Sequence, residues 1–131
     1  MLSAIPLTIA ALMLVILFYF FLTIRVGGTR AKYGVEAPAV TGNEIWERYF
    51  RVQMNTLEQM IALIPAALAF ATFWGDLWGA IGCVIFLVGR IIYYVTYVAD
   101  PKSRAVGALM TFLANLVLVI GALIGAVLAA L

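Results

Sequence analysis

Four long apolar runs, separated by short polar or glycine-containing stretches, dominate the hydropathy pattern of the chain. The first, about Ile5–Ile24, holds roughly the 20 residues needed to cross the hydrocarbon of a bilayer. Ser3 is its expected N-cap, and Pro6 falls in its first turn. Gly27-Gly28 are expected to break it, leaving Thr29–Thr41 as a polar loop with Gly34 and Pro38. Asn43 suits the N-cap of a second helix, amphipathic from Glu44 and wholly apolar from Met60 to Trp74, with a kink expected at Pro65. Gly75-Asp76 read as a tight turn. The third helix runs from about Leu77 to Ala99, where Asp100-Pro101 punctuate it. The fourth covers about Arg104–Leu131, with Asn115 as its one strongly polar side chain. The pattern predicts an all-α integral membrane protein, a four-transmembrane-helix up-down-up-down bundle forming a single domain over residues 1–131.

Polar side chains interrupt this pattern in a regular way. Arg51, Asn55 and Glu58 are spaced i, i+4, i+7 and form one stripe on the second helix, with Glu44 on the same face and Gln53 offset from it. After Glu58 the chain carries no charge until Asp76, so the stripe enters a spanning segment. Charges near hydrocarbon depth cost on the order of 2.5–3.5 kcal/mol each on insertion scales and default to a functional reading. On the third helix Arg90, Tyr93 and Tyr97 share a face that points on to Asp100 and Arg104. Helices two and three run antiparallel in such a bundle, so both stripes lie toward one membrane surface, within reach of Arg30 in the first loop. Blander roles compete for each group. Arg51 and Glu58 can neutralise each other, and Arg90 is expected to pair with Glu58 or Glu44. Tyr93, Tyr94 and Tyr97 can anchor at headgroups, and Arg104 beside Lys102 can act as a topology determinant. Asn115 is expected to make an interhelical hydrogen bond, and Cys83 to serve packing.

Composition sharpens the class. Of 131 residues, 66% are hydrophobic and 11% charged, against roughly 25% charged in soluble domains, and the mean hydropathy is +1.15. Arg25, Arg30, Lys32, Arg48 and Arg51 cluster after the first apolar run, and Lys102 and Arg104 follow the third. By the positive-inside rule both basic segments are cytoplasmic and both termini lie on the other side, with Trp74 and Trp78 as a far-side aromatic belt. Leu2–Ile24 has no preceding basic region and reads as a span rather than a cleaved signal. No basic tail points to nucleic acid. The single cysteine excludes an internal disulfide, and with no histidine in the sequence no metal site is expected.

The inventory near the cytoplasmic surface comprises Arg30, Arg51 and Arg104 as fixed cations, Glu58 as an anion, and Gln53, Asn55, Tyr93 and Tyr97 as hydrogen-bonding groups. A zwitterion with more negative than positive groups fits it: two arginines for two carboxylates, Glu58 for an ammonium, a third arginine for a developing anion. Glutathione has those parts, and other anionic amphiphiles satisfy the same arginines.

The segment ERYFRVQMNTLEQMIALIP, Glu47–Pro65, resembles the signature of the MAPEG family (membrane-associated proteins in eicosanoid and glutathione metabolism). GRIIYYVTYVADPKSR, Gly89–Arg104, is similar to that family's third-helix signature. NTLEQ looks closest to the bacterial branch, which implies a bacterial inner membrane. The resemblance implies a homotrimer binding glutathione as co-substrate at each subunit interface. Arg51, Asn55, Glu58, Tyr93, Tyr97 and Arg104 would line one subunit's wall, and Arg30 and Gln53 would come from the neighbour. Arg104 matches the family arginine that stabilises the glutathione thiolate, and a lipophilic electrophile or hydroperoxide would arrive from the bilayer. The implied function is a glutathione S-transferase or peroxidase. Gln59 departs from the aromatic residue found in several members, and Ala31 from a second arginine of the leukotriene-forming branch. Two other classes compete. A small multidrug exporter also has four short helices but usually carries an acidic residue in its first, where Leu2–Ile24 has none. A non-catalytic relative would use the same arginines to bind a lipid or partner protein.

Overall fold

In the computed structural model, residues 2–131 are described; residue 1, included in the single-domain expectation, lies outside them. The apolar runs become α1 (Pro6–Tyr33), α2 (Glu44–Trp74), α3 (Asp76–Ala99) and α4 (Ala105–Ala130), with short 3-10 turns at Leu2–Ala4 and Pro101–Ser103. Each of the four is long and apolar enough to cross a membrane, as in an integral membrane protein, and the described residues contain no strand. Large apolar side chains such as Ile24, Ile61, Val117 and Leu128 point outward, an arrangement that hydrocarbon tolerates and water does not.

Helix α1 departs from expectation at both ends. Ser3 does not cap it; Ile5 occupies the N-cap position without a side-chain bond, and Pro6 takes the first helical position. A residue far along the chain does that work instead. The Asp76 carboxylate accepts from the backbone N–H of Leu7 at 2.8 Å and of Thr8 at 2.7 Å, and the Thr8 hydroxyl donates to the Asp76 carbonyl at 2.9 Å. The residue expected to form only a turn therefore satisfies two of the free amides at the start of α1. At the other end Gly27-Gly28 do not break the helix, which continues through Thr29 to Tyr33. Two glycines cost about 1 kcal/mol each in a helix interior, and the surroundings offset this. The Trp46 indole donates to the Val26 carbonyl at 3.0 Å, and the Thr29 hydroxyl to the Arg25 carbonyl at 2.6 Å. The true terminator is Gly34, left-handed at φ 70°, a conformation glycine adopts without steric cost.

Asn43 caps α2 as expected, accepting from the amides of Ile45 and Trp46. Pro65 lies inside a helix that remains continuous to Trp74. Helices α2 and α3 touch each other and both remaining helices. Val15, Leu63, Ala67, Cys83, Phe86 and Leu118 form the heart of the core among them. The glycines at 79, 82, 89, 121 and 125 all sit where an added Cβ would come within 3.0 Å of a neighbouring side chain, as small residues do where helices approach closely in membranes.

Candidate ligand-binding cleft

The polar stripes converge on one cleft of about 390 Å³, lined by side chains from α2, α3 and the start of α4. Helix α2 supplies Arg51, Asn55 and Gln59 at i, i+4, i+8; α3 supplies Arg90, Tyr93 and Tyr97 at i, i+3, i+7. Such spacings stack side chains along one helical face. Arg104 completes the set from the junction before α4. The turn holding it is built by Asp100, whose carboxylate accepts from the Lys102 amide at 3.0 Å. Ser103 reinforces the turn by donating to the carbonyls of Asp100 and Thr96. Ala108 and Thr111, one and two turns beyond Arg104, also face the cleft.

Close contact between α3 and α4 closes the inner wall. A Cβ at Gly107 would lie 2.5 Å from the Tyr93 amide nitrogen, and one at Gly89 would lie 2.9 Å from the Thr111 methyl. Without side chains at these two positions the backbones come near enough for Thr111 to meet Arg90. The Tyr93 and Tyr97 rings stack at 5.3 Å, giving the wall a rigid aromatic ledge.

Arg90 is the most unusual group. It is 1% exposed, yet it pairs with neither Glu58 nor Glu44, contrary to expectation. Its guanidinium donates to the Asn55 side-chain amide oxygen at 2.6 Å, to the Thr111 hydroxyl at 2.9 Å and more weakly to the Thr56 hydroxyl at 3.5 Å. It also lies 4.2 Å from the centre of the Tyr93 ring, a cation–π distance. Its Nε has no partner. The cation is thus solvated by neutral groups alone, which lowers the cost of burial but leaves its charge intact.

The remaining candidates divide. Arg51 and Glu58 meet at 3.4 Å, the one ion pair among the described residues, with both side chains half exposed. Glu58 is not among the residues lining the cleft. Arg30 lies apart, donating to the Ala39 carbonyl at 2.7 Å and stacked over the Trp46 ring at 4.5 Å. Gln53 faces α1, donating to the Thr23 hydroxyl at 3.0 Å. Past Arg51 and Tyr97 the cleft adjoins an outer recess that includes Glu44, Glu47, Arg48 and Pro101. Among the described residues no cluster of acidic, cysteine or histidine side chains is placed to hold a metal.

Gln59, noted from the sequence only as a departure from the family's aromatic residue, lines the cleft one turn past Asn55, and Thr111, which sequence reasoning passed over, lines it at the i+7 spacing from Arg104. Asn115 makes its expected interhelical bonds, both to Gln59, with the backbone carbonyl at 3.1 Å and the side-chain oxygen at 3.0 Å. Cys83 is fully buried in the apolar core.

The chain is 44% identical over 106 residues to the "Uncharacterized protein sll1147" of Synechocystis, covering 81% of this chain and 77% of that one. It is 30% identical over 87 residues to microsomal glutathione S-transferase 2 of Homo sapiens, covering 66% of this chain and 59% of the relative. The Mus musculus counterpart is also 30% identical, over 83 residues, with 63% of this chain and 56% of the relative covered. The MAPEG family profile matches residues 8–124, which takes in α2 and α3 whole, most of α1 and α4, and every residue of the cleft: the chain belongs to the MAPEG family.

Proposed function

We propose that this protein is a membrane-bound glutathione S-transferase or glutathione-dependent peroxidase, working as a homotrimer of up-down-up-down four-helix subunits. The observation that carries this reading is the cleft, where Arg51, Arg90 and Arg104 surround a small space furnished with Asn55, Gln59, Tyr93 and Tyr97. Family membership and the similarity to microsomal glutathione S-transferase 2 add support. Arg51 and Asn55 bind carboxylate and amide groups of the tripeptide, Glu58 its ammonium, and Tyr93 and Tyr97 its backbone. Arg104 stands beside the sulfur. The half-exposed Arg51–Glu58 pair is costly to leave facing lipid. A neighbouring copy that covers it, bringing Arg30 and Gln53, completes the wall. The contacts of Asp76 with residues 7 and 8 and of Trp74 with Gly121 support the alternating helix directions.

The chemistry begins with loss of the thiol proton. A free thiol has a pKa near 8.5, and an adjacent fixed cation lowers it. No histidine base is needed, because the proton leaves to water through the open cleft. The thiolate then attacks a lipophilic electrophile, forming a carbon–sulfur bond as the leaving group or opened ring takes the electron pair. With a hydroperoxide, the sulfur attacks the outer oxygen and the O–O bond breaks to give a sulfenic acid and an alkoxide, which takes a proton from water to become the alcohol. A second glutathione reduces that acid to the disulfide and water. One chain over residues 1–131, as a single domain in a bacterial inner membrane with its basic segments cytoplasmic, accounts for the charge distribution.

Ultraviolet difference absorbance in the thiolate band tests this directly. Glutathione added to the detergent-purified protein at neutral pH should give a saturable signal. Its absence with an intact oligomer overturns the reading, and glutathione binding without ionisation points instead to a non-catalytic binding relative.

A further inference from the structure

We infer that Arg90 is a positioning residue of the cleft, a buried cation whose uncompensated charge helps select the ionised form of the bound thiol. The inference rests on the proposed glutathione chemistry. Three guanidinium groups line the cleft, and among the described residues the one carboxylate in ion-pair contact with any of them is Glu58, on Arg51. Arg104 stands at the mouth and is solvent-exposed, whereas Arg90 is 1% exposed. An exposed cation is screened by water and salt; a buried one is screened far less. Arg90 therefore contributes to the potential inside the cleft out of proportion to its distance from any ligand atom.

Its partners fit a group kept charged on purpose. A guanidinium buried for structural ends is normally paired with a carboxylate, because burying an unpaired charge is expensive. Here every hydrogen-bond acceptor is neutral: Asn55, Thr56 and Thr111. Each comes from a helix that forms the cleft, and the Tyr93 face covers the guanidinium. Such a shell holds the cation in place without cancelling it. Glutathione with an ionised sulfur carries two negative charges net, and with a neutral thiol only one. A cleft with surplus positive charge favours the first. Arg104 would contact the sulfur, and Arg90 would act through its field from behind the Asn55 and Tyr93 wall.

Thr56 allows the charge to be cancelled without touching the ligand surface. It is fully buried beside Arg90 and does not line the cleft. Thr56→Asp gives Arg90 a counter-ion, and Thr56→Asn places a side chain of the same size without charge. The measurement is the pH titration of the thiolate absorbance of bound glutathione in the full-length oligomer. Affinity for S-methylglutathione, which cannot ionise, is measured in parallel. The Asp variant should raise the bound thiol pKa by about one unit over the Asn variant, a tenfold loss of thiolate at fixed pH below both values, with S-methylglutathione affinity matched between the two. Equal titrations in the two variants overturn the proposal. Should either variant fail to assemble, Arg90→Lys against Arg90→Gln asks the same question: the lysine protein should keep the wild-type titration and the glutamine protein should not, and identical curves overturn the inference. A wild-type protein that binds S-methylglutathione but never ionises glutathione removes the thiolate chemistry itself, a distinct failure visible before any variant is made.

Discussion

The two ends of the helical bundle treat their polar groups in opposite ways. At the Asp76 end, polar atoms are used up in joining helices: the carboxylate accepts two α1 amides, and the Trp74 indole donates to the Gly121 carbonyl at 2.7 Å. At the arginine-rich end, cations outnumber the carboxylates that meet them. Among the described residues Arg90 has only neutral partners and Arg104 makes no ion pair. Both ends place charge close to hydrocarbon, at comparable expected cost. What separates structural from functional polarity is therefore whether a group's bonding capacity is closed within the chain. The Asp76 end is closed, and the cleft is left short of negative charge.

The strongest way to break this comparison is to force apart α3 and α4 where their close approach builds the cleft wall. Gly107→Val would push a branched side chain into the Tyr93 backbone, which cannot yield as a flexible side-chain tip does. Overpacking typically costs roughly 1–3 kcal/mol, and this site belongs at the upper end. The expected outcome is loss of the folded oligomer on size-exclusion chromatography, with Gly107→Ala less severe but still lowered in thermal midpoint. A Val variant of wild-type stability would mean that α3 and α4 are not held as close as the cleft requires.

Next in size is a change confined to the arginine-rich end. Arg104→Ala should eliminate the thiolate signal of bound glutathione, while the elution volume and thermal midpoint stay at wild-type values. Arg104 is exposed, so the loss should be chemical. Normal ionisation in this variant would shift the thiolate role to another cation of the cleft.

Much of this division was legible in the chain itself. The helices follow from apolar runs long enough to span a bilayer, and Asn43, Gly75 and Pro101 mark real boundaries. The paired stripes Arg51-Asn55 and Arg90-Tyr93-Tyr97 do line one cleft, because period alone fixes which residues share a face. Partners across helices were not legible. Gly27-Gly28 look like a break until Trp46, twenty residues away, is seen to hold the Val26 carbonyl. Asp76 looks like a turn residue because the donors it serves, the amides of Leu7 and Thr8, are nearly seventy positions distant. Arg90 invites an acidic partner by charge arithmetic, whereas the close α3–α4 approach supplies a threonine hydroxyl instead.

A smaller effect is expected from the closed end. Asp76→Ala frees the Leu7 and Thr8 amides and should lower the thermal midpoint by a few degrees, with thiolate formation unchanged. Asp76→Asn keeps one acceptor and should fall between. Loss of glutathione ionisation in Asp76→Ala, with the fold intact, would show that the two ends are coupled and that the division between them is too sharp.

The smallest effect should come from Asn115, which belongs cleanly to neither end. Its amide donates twice to Gln59, as a structural group should, yet its own carbonyl oxygen is buried without a partner. Interhelical hydrogen bonds in membranes average about 0.6 kcal/mol, and removing an unsatisfied acceptor returns part of that. Asn115→Leu should therefore barely move the thermal midpoint. Its informative readout is Gln59, which loses its tether while still facing the cleft. If Gln59 is a ligand-binding wall, S-methylglutathione affinity should fall about as far in Asn115→Leu as in Gln59→Ala. If affinity falls in the Gln59 variant alone, the tether is packing and Gln59 positions itself. If neither variant changes affinity, Gln59 borders the cleft without serving it, and the functional surface contracts to the arginines, Asn55 and the two stacked tyrosines.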